Sequence, residues 1–149
     1  MQKWRKNKYS CCQLVSAINA GIFLGLEDIS DELFEELAEE VLCVNGSALK
    51  IESAFPKIGL VGTIHSNMIP PFAWFKDNLP VSVTYNDPEY GCHSALVIGT
   101  YQNGSCEKGL CLVGAYKDEM PFGEMCERLA WHPHQLRFVT YEKMKEELC

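Results

Sequence analysis

Residues 79–116 read LPVSVTYNDPEYGCHSALVIGTYQNGSCEKGLCLVGAY, and this stretch decides the fold. Three runs within it, at 79–85, 92–101 and 110–116, have the alternating or clustered apolar residues of β-strands. The segments between them, NDPEYG and QNGSCEKG, are rich in turn-forming residues. Because such short connections join antiparallel neighbours, we expect an antiparallel sheet. A hairpin centred on position 105 places position 93 roughly opposite position 117.

Helical patterns precede this stretch. Ser10 and Gln13 have the spacing of a capping box and predict a helix over about 11–23. Ser30 predicts the N-cap of a second helix, which Asn45 and the glycine after it end. Helices followed by strands are typical of an α+β domain, with an N-terminal helical half packed on a C-terminal antiparallel sheet.

The remaining segments give weaker patterns, and residues 121–139 give no assignment. In chain order we expect a helix over 47–55 ended by Pro56, a strand over 59–64, a helical turn over 70–78, and a short charged helix or tail over 140–149.

The composition fits one domain spanning residues 1–149. With 149 residues, of which 47% are hydrophobic, the chain can build a single core. The formal net charge of −7 argues against a nucleic-acid partner, since phosphate binding needs a basic face. The basic cluster KWRKNK, from Lys3 to Lys8, is interpreted as a solvated N-terminal arm.

The sequence contains no apolar run of about 18 residues, the length needed to span a membrane. The first predicted helix carries Gln13, Ser16 and Asn19, which are not typical of the apolar core of a signal peptide. We therefore expect no membrane insertion and a cytoplasmic location.

Eight cysteines permit a disulfide framework, but most lie in apolar runs, where a reduced cysteine acts as a small core residue. There is no CxxC motif of the kind used in zinc or redox sites. His132 and His134 are interpreted as part of a surface loop. We expect no metal and no cofactor.

The adjacent residues Cys11 and Cys12 stand where the first helix is predicted to begin. With Ser10 as the N-cap, Cys12 occupies the second helical position, where unpaired amides and the helix dipole favour a thiolate. A thiolate is the nucleophilic form of cysteine, and an imidazole completes its activation as general base. His93 is the best candidate for that base because it begins a strand directly after a turn.

Two segments resemble papain-like cysteine peptidases. CQLVSAINA, from Cys12 to Ala20, is similar to their nucleophile helix, and CHSALVIGTY, from Cys92 to Tyr101, is similar to their histidine strand. The layout, with LPVSVTY just ahead of the histidine strand, resembles the C39-like branch in particular. This resemblance extends from about Lys6 to Asp118 and implies a papain-like fold.

The resemblance implies that Cys12 is the nucleophile and His93 the base. Cys11 remains the alternative nucleophile; Cys12 is favoured because the small residues that follow are in phase only with it. Cys11 would then be a packing residue or a redox partner of Cys12. The group that orients the imidazole is Asp118, which follows the last strand of the stretch, with Asp87 as the alternative.

The family usually has an oxyanion-hole glutamine a few residues before its nucleophile, where this chain has Lys6. Gln2 and Asn7 are the nearby amides that could donate to the developing oxyanion.

Three functions follow. The first is a cysteine peptidase or related thiol hydrolase that cleaves a peptide or isopeptide bond of a peptide or protein substrate through a thioester on Cys12. The second is an inactive papain-like binding or inhibitor module, favoured by the missing glutamine. The third is redox sensing through Cys11 and Cys12, since adjacent cysteines can form a strained, easily reduced bond.

Overall fold

A computed structural model describes residues 3–6, 11–41, 43–44, 47–48, 50–66, 68–87, 91–104, 107–115, 117–130 and 137–145. Six helical segments are present in these ranges: α1 (Cys12–Phe23), α2 (Asp31–Glu40), a 3-10 helix (Ile51–Ser53), α3 (Phe55–Ile58), α4 (Phe72–Asp77) and α5 (Phe122–Ala130).

The described strands form a two-stranded ribbon and a six-stranded antiparallel sheet. The ribbon pairs β1 (Cys43–Val44) with β2 (Ser47–Ala48). The strands of the large sheet are, in chain order, β3 (Leu60–Ser66), β4 (Val81–Asp87), β5 (Gly91–Gln102), β6 (Lys108–Val113), β7 (Glu119–Pro121) and β8 (Arg137–Lys143). Their spatial order is β3-β8-β4-β5-β6-β7. The α+β class and the antiparallel sheet predicted from the sequence are confirmed.

The hairpin of β5 and β6 has the predicted register over its outer half. Gln102 pairs with Lys108 and Gly99 with Cys111, as expected for a hairpin centred on position 105. An irregularity between Val97 and Gly99 then shifts the register by one residue, and pairing ends where Leu96 faces Val113. His93 therefore lies beyond the part of β5 that pairs with β6.

Helices cover both faces of the sheet and divide the core in two. On one face, α1 contributes Leu14 and Ile18 to a cluster that includes Leu96 of β5. On the other face, Phe75 of α4 and Met125 of α5 pack in a second cluster, which includes the β5 residues Ala95 and Val97. Successive residues of a strand point to opposite faces, so even-numbered residues of this part of β5 face α1 and odd-numbered ones face α5.

Several predicted boundaries are wrong. Pro56 lies in the first turn of α3 instead of ending a helix, a position where its missing amide hydrogen has no cost. The predicted helix over 47–55 is replaced by β2 and the 3-10 helix. The predicted charged helix or tail over 140–149 is wrong for residues 140–143, because residues 137–143 form β8, which lies between β3 and β4; residues 146–149 are outside the described residues. The second helix begins at the predicted cap, with the Leu33 amide donating to Ser30 Oγ at 3.1 Å.

The N-terminal arm is docked against the domain, so its interpretation as a solvated segment is wrong. Trp4 packs against the cluster beneath α1. The guanidinium of Arg5 donates to Asp28 at 2.9 Å and to the carbonyl oxygen of Ile29 at 2.8 Å. Within residues 3–6, Lys3 and Lys6 are the exposed ones, and Asn7 and Lys8 are outside the described residues.

In the ranges that the structure describes, no helix combines the length and the apolar character needed to cross a membrane.

Candidate functional site

The candidate nucleophile stands at the first position of α1. The helix begins at Cys12 and its N-cap is Cys11, which makes no side-chain capping bond. Ser10, the predicted cap, is outside the described residues. The Gln13 amide donates to Thr84 Oγ1 at 3.4 Å, toward the sheet. The predicted placement of Cys12 in the second helical position is therefore off by one residue.

The Cys12 thiol is held against strand β5. The backbone N–H of Ser94 donates to Cys12 Sγ at 3.3 Å, and only 3% of the residue is exposed. Burial raises the pKa of the thiol, although the bonds from Ser94 act in the opposite direction. Burial of the thiol therefore acts against the thiolate that the helix start was expected to favour.

The two adjacent cysteines differ in oxidation state. Cys11 is disulfide-bonded, whereas Cys12 is reduced. A disulfide between the two is therefore not formed in this structure. Cys11 is buried, as expected of a packing residue, but it is not reduced.

His93 is the third residue of β5, close to the predicted strand start. Its Nε2 lies 2.6 Å from the carbonyl oxygen of Gly114. Because a carbonyl oxygen only accepts hydrogen bonds, Nε2 must carry the hydrogen and donate it. When the ring is neutral, Nδ1 then carries the lone pair and is the basic atom.

Cys12 and His93 lie at the same end of β5, on different faces. Ser94 N is bonded to the carbonyl carbon of His93, so its contact with Sγ places the thiol beside the His93 backbone. The imidazole itself packs edge-on against Tyr85, with ring centroids 5.7 Å apart. Tyr85 belongs to the cluster beneath α5, so the ring lies on the face opposite α1.

The two candidate orienting aspartates occupy different surroundings. Asp118 directly precedes β7, and its side chain is exposed. The backbone carbonyl oxygen of Asp118 accepts a 2.7 Å hydrogen bond from the backbone N–H of Leu112. Asp87 is buried at the end of β4, where Arg128 Nη1 lies 3.4 Å from its carboxylate. In the described residues, Gly114 provides the acceptor for His93 Nε2, a contact that the strand pattern did not indicate.

Sequence reasoning also missed a row of hydroxyls behind the thiol. Thr84 Oγ1 and Ser94 Oγ lie 2.8 Å apart, and Ser82 Oγ lies 2.7 Å from the Tyr141 hydroxyl. These groups border a cavity of about 10 Å³, close to the minimum for one water molecule. The sequence feature that could have indicated these hydroxyls is the small polar residues of the two strands, Ser82 and Thr84 on β4 and Ser94 on β5.

Tyr85 is the second polar group that was missed. It is 2% exposed, and its hydroxyl is the one buried side-chain oxygen or nitrogen without a hydrogen-bond partner in the described part of the chain. Burial, with a smaller contribution from the charge of Asp87, raises the pKa of Tyr85.

The candidate oxyanion donors Gln2 and Asn7 are outside the described residues, as are His132 and His134. A search of the described ranges finds no group of three His, Cys, Asp or Glu side chains that could hold a metal ion.

No protein-family model matches the chain, and no curated protein matches it either.

Proposed function

We propose that the protein is a cysteine peptidase or related thiol hydrolase of papain-like, C39-like type, with Cys12 as nucleophile and His93 as general base. The observation that carries the proposal is the hydrogen bond from Ser94 N–H to Cys12 Sγ, since it holds a reduced thiol beside the backbone of a histidine. The tautomer of that histidine, set by Gly114, leaves Nδ1 as a proton acceptor.

The raised pKa of Cys12 determines the order of events. Cys12 rests as a thiol, so the proton leaves sulfur as sulfur attacks. The S–H proton passes to His93 Nδ1, and Sγ forms a bond to the carbonyl carbon of the substrate. Catalytic hydrogen bonds that are long in a free enzyme tighten in the substrate complex, and the imidazole turns toward the thiol in that step.

The rest of the cycle restores both groups. The protonated imidazole gives its proton to the leaving nitrogen as the C–N bond breaks, which leaves a thioester on Cys12. His93 then takes a proton from water while the water oxygen attacks the thioester, and the carboxylic acid product leaves as the S–H bond re-forms. Asp118 is proposed to assist the imidazole, and Gln2 or Asn7 to donate to the oxyanion.

The partner is a peptide or protein, with no nucleic acid and no cofactor. The acidic net charge of −7 supports the exclusion of nucleic acid. A cytoplasmic location is retained as part of the proposal and has a direct consequence: a reducing cytosol would open the disulfide of Cys11.

A second candidate function is an inactive papain-like binding module. The specific observation in its favour is the burial of Cys12, because a thiol with 3% exposure and a raised pKa reacts slowly. The two functions differ in whether His93 affects the reactivity of Cys12.

Iodoacetamide labelling of the native protein separates these functions. Under the peptidase proposal, His93→Ala slows labelling of Cys12 near neutral pH, because no base accepts the S–H proton. Cys126, whose thiol pKa is also raised by burial, serves as the internal control and is unaffected. Equal labelling of Cys12 with and without His93 would favour the binding module.

Cleavage of a proteome-derived peptide library, read by mass spectrometry of new termini, tests the activity itself. Cys12→Ala abolishes the cleavages and Cys126→Ala keeps them. Cleavage that persists in Cys12→Ala, or a wild-type protein that cleaves nothing in the library, overturns the proposal.

A further inference from the structure

A groove lies between the docked N-terminal arm and strand β6. It has a volume of about 900 Å³, toward the upper end of the usual range for ligand sites. Its floor is formed by Ile98, Cys111 and Val113, which are partly buried residues on the α1 face of the sheet. The lining includes Gly114, the residue whose carbonyl oxygen accepts from His93. The groove and the candidate site therefore share a residue.

The arm that forms one wall is firmly held. The backbone N–H of Arg5 donates to Asn19 Oδ1 at 2.7 Å, and Asn19 Nδ2 donates to the Arg5 carbonyl oxygen at 3.0 Å. Asn19 is fully buried in α1. Two reciprocal hydrogen bonds from a buried side chain fix the direction of the arm. This wall of the groove therefore has a fixed position in the domain.

The two walls carry opposite charges. Lys3 and Lys6 are exposed on the arm, and Asp118 and Glu119 are exposed across the groove. Among the described residues, Arg5 is the arm residue that forms ion pairs. Lys3, Lys6, Asp118 and Glu119 are in none of the ion pairs found there. Burial and, after it, the charge of Glu119 raise the pKa of Cys111, which pairs with Glu119 across β6 and β7.

An extended peptide matches this pattern. Successive side chains of an extended chain point to opposite sides. A peptide that lies along the groove can thus present acidic side chains to Lys3 and Lys6 and basic side chains to Asp118 and Glu119. The methylene stems of those side chains cover the apolar floor while their charged ends remain at the walls.

We infer that this groove binds an extended substrate segment in which acidic and basic side chains alternate, and that it delivers this segment to the Cys12 site. The inference rests on the proposed peptidase function, because it names the class of substrate that the Cys12 site receives. Binding itself does not require the thiol and is measurable without catalysis.

The test uses the full chain carrying Cys12→Ala, so that no bound peptide is cleaved. Fluorescence anisotropy compares three labelled peptides of equal length: alternating Glu-Lys, all Lys, and all Glu. General attraction to a protein of net charge −7 favours the all-Lys peptide. The groove instead favours the alternating peptide, by about fivefold or more in Kd if each of a few exposed pairs contributes its usual share.

Charge reversal is the second part of the test. Lys3→Glu with Lys6→Glu weakens binding of the alternating peptide by about tenfold, as expected when two attractive pairs become repulsive. Lys143→Glu with Lys145→Glu is the matched control, since it makes the same change in net charge at and just beyond the end of β8, outside the groove lining. Its affinity for the alternating peptide stays close to that of the parent chain.

Three results would overturn the inference: the all-Lys peptide binds most tightly, the reversal at Lys3 and Lys6 has no more effect than its control, or no peptide binds. Failure of the proposed function looks different. If the alternating peptide binds as expected while cleavage is unaffected by Cys12→Ala, the groove stands and the peptidase proposal falls.

Discussion

Asn19→Ala is the most informative single change for the architecture around the site. Asn19 lies in the middle of α1, where an asparagine is a weak helix former, and it is 0% exposed. Its side chain makes two hydrogen bonds with the backbone of Arg5, and the reciprocal donor and acceptor pattern fixes the orientation of the amide. Alanine removes both bonds and leaves the Arg5 backbone groups without these partners.

The size of the effect follows from those two bonds. A typical intramolecular hydrogen bond contributes about 1 kcal/mol, so we expect a loss of about 2 kcal/mol in the free energy of unfolding. Domains of this kind have total stabilities of about 5–15 kcal/mol, so the loss is readily measured. Urea unfolding followed by tryptophan fluorescence is the assay, with an unchanged dependence on urea concentration showing that the fold is kept.

Asn78→Ala is the control. Asn78 Nδ2 donates one hydrogen bond, at 2.8 Å, to the Trp74 carbonyl oxygen within the same short helix. We expect a loss of about 1 kcal/mol or less there. If Asn19→Ala costs no more than Asn78→Ala, Asn19 does not fix the arm, and the argument for a built groove wall fails.

Two further predictions concern positions away from the arm. Gly62→Ala lowers the free energy of unfolding by about 1–3 kcal/mol in the same urea assay, because a Cβ at this position of β3 overlaps the ring of Phe55. Gly123→Ala is the control, since its Cβ meets open space and does not lower the free energy of unfolding. Equal effects of the two changes would contradict this reasoning. Tyr85→Phe leaves stability at neutral pH unchanged or higher, because a buried hydroxyl without a described partner is removed. Because the folded pKa of Tyr85 is raised, the unfolded chain loses the phenol proton first, and stability falls as pH rises above the ordinary tyrosine pKa of about 10. Tyr85→Phe removes this effect and so reduces the alkaline loss of stability; an identical loss in both proteins would refute this.

The sequence predicts the strands whose patterns are local. β4 and β5 have the alternation of strands with one face on a core, and turn residues between them set the antiparallel pairing. Ser30 is a reliable signal as well, since a cap depends on only three or four neighbouring residues. These predictions hold because the interactions responsible lie within one strand, one turn or one helix start.

The sequence pattern does not predict β8, because its position depends on residues that are far away in the sequence. TYEKMKEELC is rich in charge, and charge favours an exposed helix or tail in a local reading. In the structure, Tyr141 and Phe138 of this region are buried, and the strand pairs with β3 and β4. Pairing with strands that lie far away in the sequence is not visible in a local pattern.

The state of the thiol escapes prediction for a related reason. The position of Cys12 at a helix start is a local feature, and by itself it lowers the pKa of a cysteine. Burial against β5 is a tertiary feature, and it raises the pKa of the thiol. Helix position therefore predicts where the candidate nucleophile lies, but not its protonation state.

The alternation of β5 constrains the candidate pair more strongly than the family resemblance does. His93 and Ser94 are neighbours in a strand, so their side chains face opposite sides of the sheet. With α1 packed over the side of Ser94 and Leu96, the His93 ring must lie on the side of Tyr85, as observed. Under the peptidase proposal, the proton therefore passes from Sγ to Nδ1 around the edge of β5 that has no β6 partner beyond Leu96. The bond from Gly114 holds Nε2, so that step requires the imidazole to turn before Nδ1 can reach the thiol on the opposite face.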